Sequence, residues 1–278
     1  CDFTHEGGPT YSGFGFAADS KWVRSLFAQG GGVDLVFYEV PGGKIASSLA
    51  AASVNEFLAW ITTLLGPMPY GSELRVAGGP TKWLGFEHPA NIILQEGIAD
   101  LSTSYADAPM HVLMHEIVHQ WAGDRTTLAA EADFVWKEAT AEYLAYVFED
   151  EHRPATEAAS SRAYWDAIAL SAQHRPRPTD NPSVDTFYGD VYGPGPMVLY
   201  VQLEALLGRP VVLAAIRSFL STAGAKSVSD LKLALEKDFI RSVELHTMTF
   251  TGHNGQSFDR ASRYTTFEVL SDLEAQTN

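Results

Sequence analysis

The sequence predicts an α+β fold, with strands gathered in the first part of the chain and helices in the second. Two observations carry this. Up to about residue 105, short apolar runs are bounded by Gly, Pro and Asn, as strands between turns are. From about 107 the apolar residues recur at helical spacing. A third observation sets the scale. With 278 residues, 46% hydrophobic and 19% charged, the chain can bury a large core and is too apolar to belong to the disordered class.

The elements follow in order. "VDLVFYEV" (33–40) and "ELRVAG" (73–78) read as strands, and "NIILQE" (91–96) is an apolar run between turn signals. Between the first two lies a helix of roughly 45–65, ended by Gly66-Pro67 and followed by the turn cluster "PMPYG". Asp107 can cap a helix that has Pro109 in its first turn and runs to Trp121. Asp133 can cap the next, "FVWKEATAEYLAYVFED". A loop rich in Pro, Asp and Tyr (175–196) precedes "PMVLYVQLEALLG", a helix closed by Gly208. "PVVLAAIRSFLSTAG" and "SVSDLKLALEKDF" continue the helical part, and the last 38 residues read as polar and β-like. We therefore expect one domain over 1–278: a sheet-rich lobe at about 11–105, a helical lobe at about 106–240, a cleft between them, and an unassigned tail at 241–278.

Charge and composition exclude several functions. Acidic side chains number 34 against 19 basic, a net charge of −15, so nucleic acid and anionic lipid are poor partners. No apolar run reaches the ~18–20 residues that span a bilayer; "IASSLAAASVNEFLAWITTLL" is interrupted by Ser47, Ser48, Ser53, Asn55 and Glu56. The single cysteine, Cys1, excludes an internal disulfide. Cys1 is either a cut end or the lipid-bearing first residue of a mature lipoprotein, in which case the chain would be extracytoplasmic; the sequence names neither compartment nor oligomeric state.

The chemistry concentrates in "HEIVHQW" (115–121). Positions four apart share a helix face, so His115 and His119 present two imidazoles to one point. Glu116, about 100° round the helix, can reach a water at that point without ligating the ion. This is the HExxH pattern of zinc peptidases. A catalytic zinc takes three protein ligands and leaves one position to water. A third histidine six residues after His119 is excluded, because Arg125 stands there and Ala122 replaces the glycine that pattern needs. A glutamate on the next helix is available: Glu138, with 18 residues intervening after His119. Glu142, four residues on, is a candidate to receive the second N–H of a ligating imidazole, with an ordinary solvated glutamate as the alternative. His111, one turn before His115, reads as a helix histidine partly buried beside the site. His5, His88, His152, His174, His246 and His253 have no partner at ligand spacing and read as surface or hydrogen-bonded residues.

These motifs resemble the aminopeptidase N family of zinc metallopeptidases, gluzincins with a thermolysin-like catalytic domain. "HEIVHQW" and "VWKEATAEYLAY" resemble that family's His-Glu-x-x-His-Gln-Trp and Trp-Leu-Asn-Glu-Gly-Phe-Ala, at the family's spacing. "LGPMPYGSELRVAGGPTKWLGFEHPANII" resembles its "FGxYPY", strand and Gly-x-Met-Glu-Asn, which places Glu87 on the glutamate that binds the substrate's α-amino group. "DVYGPGPMVLYVQLEALLG" resembles Tyr-Glu-Lys-Gly and its helix, which places Tyr192 on the catalytic tyrosine, with Tyr188 in reserve. Two departures stand out: His88-Pro89 replaces the Asn after Glu87, and Gly193-Pro194-Gly195 lacks the lysine. The resemblance spans roughly 12–235 without the family's N-terminal β-domain, so we expect a catalytic domain from a longer polypeptide.

The resemblance implies one zinc held by His115, His119 and Glu138, Glu116 as general base, Tyr192 as oxyanion donor, and Glu87 reading a free N-terminus on a peptide substrate. The expected function is a zinc aminopeptidase. The alternatives are a thermolysin-like endopeptidase and a non-catalytic binding module on the same fold.

Overall fold

The computed structural model describes residues 18–101, 105–172 and 193–247, with backbone alone at 131 and 238–247. Two strands, β1 (Val23–Gly30) and β2 (Val33–Glu39), pair antiparallel. β3 (Glu73–Gly79) and β5 (Asn91–Gln95) extend the sheet in parallel, and β4 (Gly85–His88) closes its far edge antiparallel to β5. The spatial order is β1-β2-β3-β5-β4. Parallel strands need a crossover, and between β2 and β3 the chain makes one through α1 (Ile45–Ser48) and α2 (Ala51–Leu65).

α2 buries Val54, Phe57, Leu58, Ile61 and Leu65, which recur at helical spacing on one stripe. That stripe and the inner residues of β2 and β3 (Leu35, Phe37, Leu74, Val76) belong to one core with the helices that follow. Those helices are α3 (Ala108–Val118), α4 (Phe134–His152), α5 (Ala155–Ala172), α6 (Met197–Leu207), α7 (Arg209–Leu220) and α8 (Val228–Thr247). A short parallel pair, β6 (Thr126–Leu128) and β7 (Gly224–Lys226), ties the segment after α3 to the one after α7. The chain is thus a mixed α+β fold with its sheet first and its helices after.

Several expectations are corrected. The helix of 45–65 is two helices, because Leu49 and Ala50 are extended. The Glu39 carboxylate accepts from the Ile45 and Ala46 N–H groups and so anchors the first of them. Asp107 does cap α3, accepting from the Met110 N–H at 3.3 Å. Asp133 does not cap α4. Its two oxygens accept instead from the Ala130 and Val228 N–H groups, fastening the start of α8 to that of α4. β1 and α5 were not expected. β1 lies at the sheet edge with Val23 and Leu26 exposed, so it lacks clean alternation, and α5 is an Ala- and Ser-rich helix of weak patterning. The β-like tail begins later than 241, since α8 continues to Thr247 with no Gly or Pro to end it. Residues 248–278 lie outside the described residues.

Candidate active site

α3 is buried on nearly every side, with Met110, Leu113, Met114, Ile117 and Val118 in the core. It ends at His119, where the chain turns and the Asp124 and Thr126 N–H groups close back onto the His119 and Trp121 carbonyls. That end is pinned to the sheet by Gln120. Its side-chain oxygen accepts from the Ala90 N–H at 2.7 Å, and its Nε2 donates to the His88 carbonyl at 3.0 Å. β4 is thereby held against the His119 end of α3, and α4 packs along α3 from the other side.

Three candidate ligand side chains converge in this corner. His115 Nε2 lies 3.0 Å from His119 Nε2 and 3.2 Å from Glu138 Oε2, and His119 Nε2 is 3.6 Å from Glu138 Oε1. His119 Nδ1 donates to the Ala122 carbonyl at 2.9 Å, and a carbonyl can only accept, so neutral His119 carries its lone pair on Nε2. His115 Nδ1 lies 2.9 Å from Glu142 Oε2 and donates to that carboxylate, so the neutral form of His115 also carries its lone pair on Nε2. With both imidazoles neutral, two lone pairs and a carboxylate face one another, an arrangement that either a proton on His115 or a metal ion would hold together. Donors of a tetrahedral zinc with bonds of ~2.0–2.1 Å stand ~3.3–3.4 Å apart, a spacing that these three distances bracket. The set fits one divalent ion.

Around it, Glu87, Glu116 and His119 bring their ligand atoms within 4.8 Å of one another. Glu116 lies against β4, where a Cβ on Gly85 would stand 2.5 Å from its Oε1. Burial holds the Glu116 carboxyl well above the usual carboxylate range, with Glu87 adding to the effect and His115 opposing it. Glu87 is buried and meets Lys137 Nζ at 2.9 Å. A cavity of about 290 Å³ opens over these groups, walled by Trp83, Phe86, Tyr105, Phe134 and Tyr164 and bordered by Pro194. Tyr192 and Tyr188 lie outside the described residues.

Behind His115 runs a chain of buried charges. Glu142 is not a solvated glutamate: its Oε1 accepts from Trp165 Nε1 and, at 3.4 Å, from the Tyr105 hydroxyl. His111 Nε2 stands 2.9 Å from the same oxygen, and His111 Nδ1 stands 2.7 Å from Glu149, which also accepts from Ser161 at 2.7 Å. Burial alone would lower the His111 pKa, yet Glu142 and Glu149 push it up to about 10. Burial alone would raise Glu142, yet His111 and His115 hold it below the carboxylate range. Glu142 therefore stays ionised and orients His115. His88 packs against Phe86, and His152 meets Glu56 at 3.0 Å on the surface.

The family model described as the peptidase family M1 domain matches residues 88–249, more than half of the chain. The chain belongs to peptidase family M1. That span includes His115, Glu116, His119, Glu138 and Tyr192, and begins one residue after Glu87. Zinc is the metal of M1 metallopeptidases. Among solved structures, a variant of the M1 zinc metallopeptidase from Deinococcus radiodurans matches with a TM-score of 0.57 and 18% identity, over 77% of this chain and 48% of that one. The same figures hold for a variant of it bound to a Tyr-Ser-Ala substrate. A variant of a two-domain M1 zinc metallopeptidase bound to L-tryptophan matches with a TM-score of 0.59 and 18% identity, over 81% and 50%. These likenesses carry the M1 fold, and this chain spans about half the length of the structures it matches. No curated protein matches.

Sequence reasoning passed over Lys137, Gly85, Gln120 and Trp165. Each acts through a partner distant in sequence, so no local pattern announces it.

Proposed function

We propose that this domain carries the zinc centre of a peptidase, with His115, His119 and Glu138 as ligands and a thermolysin-like placement of the site between sheet and helices. The observation that carries the reading is the convergence of the two imidazole Nε2 atoms and the Glu138 carboxylate beside Glu116. Zinc in this set would supply Lewis acidity, bringing the pKa of its water toward ~7 and polarising the scissile carbonyl.

The chain's own groups account for the rest. Glu116 takes the proton of the attacking water and delivers it to the leaving amine; a carboxyl raised by burial is the more effective base near neutral pH. Glu142 fixes the His115 tautomer and ring plane. The Tyr192 hydroxyl is assigned to donate to the developing oxyanion. In support, Pro194, two residues on, borders the cavity.

M1 membership supports removal of N-terminal residues, a reading that needs Glu87 to receive the substrate's α-ammonium. A second reading, cleavage of internal bonds, is favoured by one observation: Lys137 already pairs with Glu87.

Glu116→Gln tests the core of the proposal. The variant should retain about one zinc per chain by elemental analysis and lose peptide turnover by at least ~10²-fold, the lower end of what a positioned acid–base group contributes. Turnover at the wild-type level would remove Glu116 from this role.

A further inference from the structure

Lys137 is the residue next to Glu138 on α4, and its side chain is only 2% exposed. Its ammonium lies between two carboxylates, 2.9 Å from Glu87 Oε1 and 2.5 Å from Glu138 Oε1. Glu87 is equally enclosed at 3%. Both line the cavity above the candidate ligands.

This arrangement bears on what Glu87 can recognise. A buried carboxylate attracts an incoming ammonium when its charge is uncompensated, and here Lys137 compensates it at contact distance. A second ammonium brought to Glu87 would also stand beside the first, in surroundings where like charges repel strongly. Withdrawal of Lys137 is costly, because removing a buried charge from its partner leaves that charge without solvation.

We propose that Lys137 occupies the place at Glu87 that a substrate's α-ammonium would need, so that the site selects peptides presenting an acylated, uncharged nitrogen there. Such a nitrogen has two sources, a blocked N-terminus or the interior of a longer chain. The inference rests on the peptide-hydrolysing reading above and, within it, stands against recognition of a free N-terminus by Glu87.

The test is binding measured by calorimetry on the zinc-loaded Glu116→Gln chain, so that no turnover intervenes. Three probes share one recognition sequence: Leu-Ala-Ala with a free amine, its N-acetyl form, and acetyl-Gly-Gly-Leu-Ala-Ala. Either acylated peptide should bind at least tenfold more tightly than the free amine. Which of the two binds better separates a blocked terminus from a chain interior. Adding Lys137→Asn should strengthen binding of the free-amine peptide at least tenfold and leave the acylated ones within about twofold. Tightest binding of the free amine, an unchanged ratio in a zinc-loaded Lys137→Asn chain, or no binding of any probe would each overturn the inference. Should Lys137→Asn lose zinc or fail to fold, Lys137→Met replaces it, and the ratio in the Lys137-bearing chain already decides the main point. Turnover of the same peptides by the wild-type chain is scored separately. Selective binding with no cleavage of any of them would count against the peptidase reading and leave the selectivity standing.

Discussion

Glu116 leans on Gly85. The missing side chain at 85 lets the Glu116 carboxylate lie against the backbone of β4, where a methyl group would come within 2.5 Å of its Oε1. Glycine in a strand often marks such a close approach. Gly85→Ala should therefore push the carboxylate out of its place while sparing the three candidate ligands. We expect kcat to fall by at least ~10-fold, because sub-ångström misplacement of a catalytic group is expensive, with zinc content unchanged. A kcat within twofold of wild type would mean that Glu116 tolerates the displacement. The sequence showed Gly85 only as a letter in a family pattern; its physical use depends on β4 reaching α3, which no local spacing reveals. His115, His119 and Glu138 were legible for the opposite reason. A four-residue step on a helix fixes two of them, and the length of the turn between α3 and α4 brings in the third.

The pair α3 and α4 is where the candidate metal site meets core packing. Glu142 serves both, orienting His115 through one oxygen and taking Trp165 and His111 on the other. Loss of such an orienting carboxylate typically weakens metal binding by ~10–100-fold. Glu142→Gln should show a loss of that order in a zinc competition titration with a chromophoric chelator. An affinity within twofold of wild type would reduce Glu142 to a packing residue. The sequence raised Glu142 as a candidate from its spacing alone. It could not raise Trp165 or Ser161, because α5 has too weak a periodicity to be placed against α4 in advance, nor Glu149, whose partners His111 and Ser161 stand on other helices. The Asp133 misreading has the same origin. A residue suited to capping its own helix was taken by the start of α8, 95 positions away.

At the scale of the molecule, a metal held by α3 and α4 would stabilise the whole fold, since all three ligands come together only when it is formed. A ligand that binds the folded state alone contributes ~4 kcal/mol at a thousandfold excess over its Kd. For a chain of this size, chelation should lower Tm by roughly 5–15 °C, reversed by added zinc. Differential scanning calorimetry with and without chelator measures it, and an unmoved Tm would mean the folded protein does not hold the ion there. Among the described residues no helix is long and apolar enough to cross a membrane. The order of the fold, strands then helices, was readable from the change of apolar period near residue 107. Its edges were not, because β1 and β4 depend on neighbours rather than on their own patterning.

The turn joining β4 to β5 sets a parity. His88 pairs with Asn91 and Glu87 with Ile92, so only Pro89 and Ala90 separate the two strands. Ala90 sits at φ 58°, a left-handed backbone with its N–H held by Gln120. Side chains alternate along a strand, and here Gly85 and Glu87 are buried while Phe86 and His88 are only partly so. A slip of one residue in the β4–β5 register would leave the sequence unchanged, yet it would exchange the two faces of β4. Phe86 or His88 would then stand where Glu87 meets Lys137, and the choice between a charged and an uncharged substrate nitrogen would pass from an ion pair to an aromatic ring.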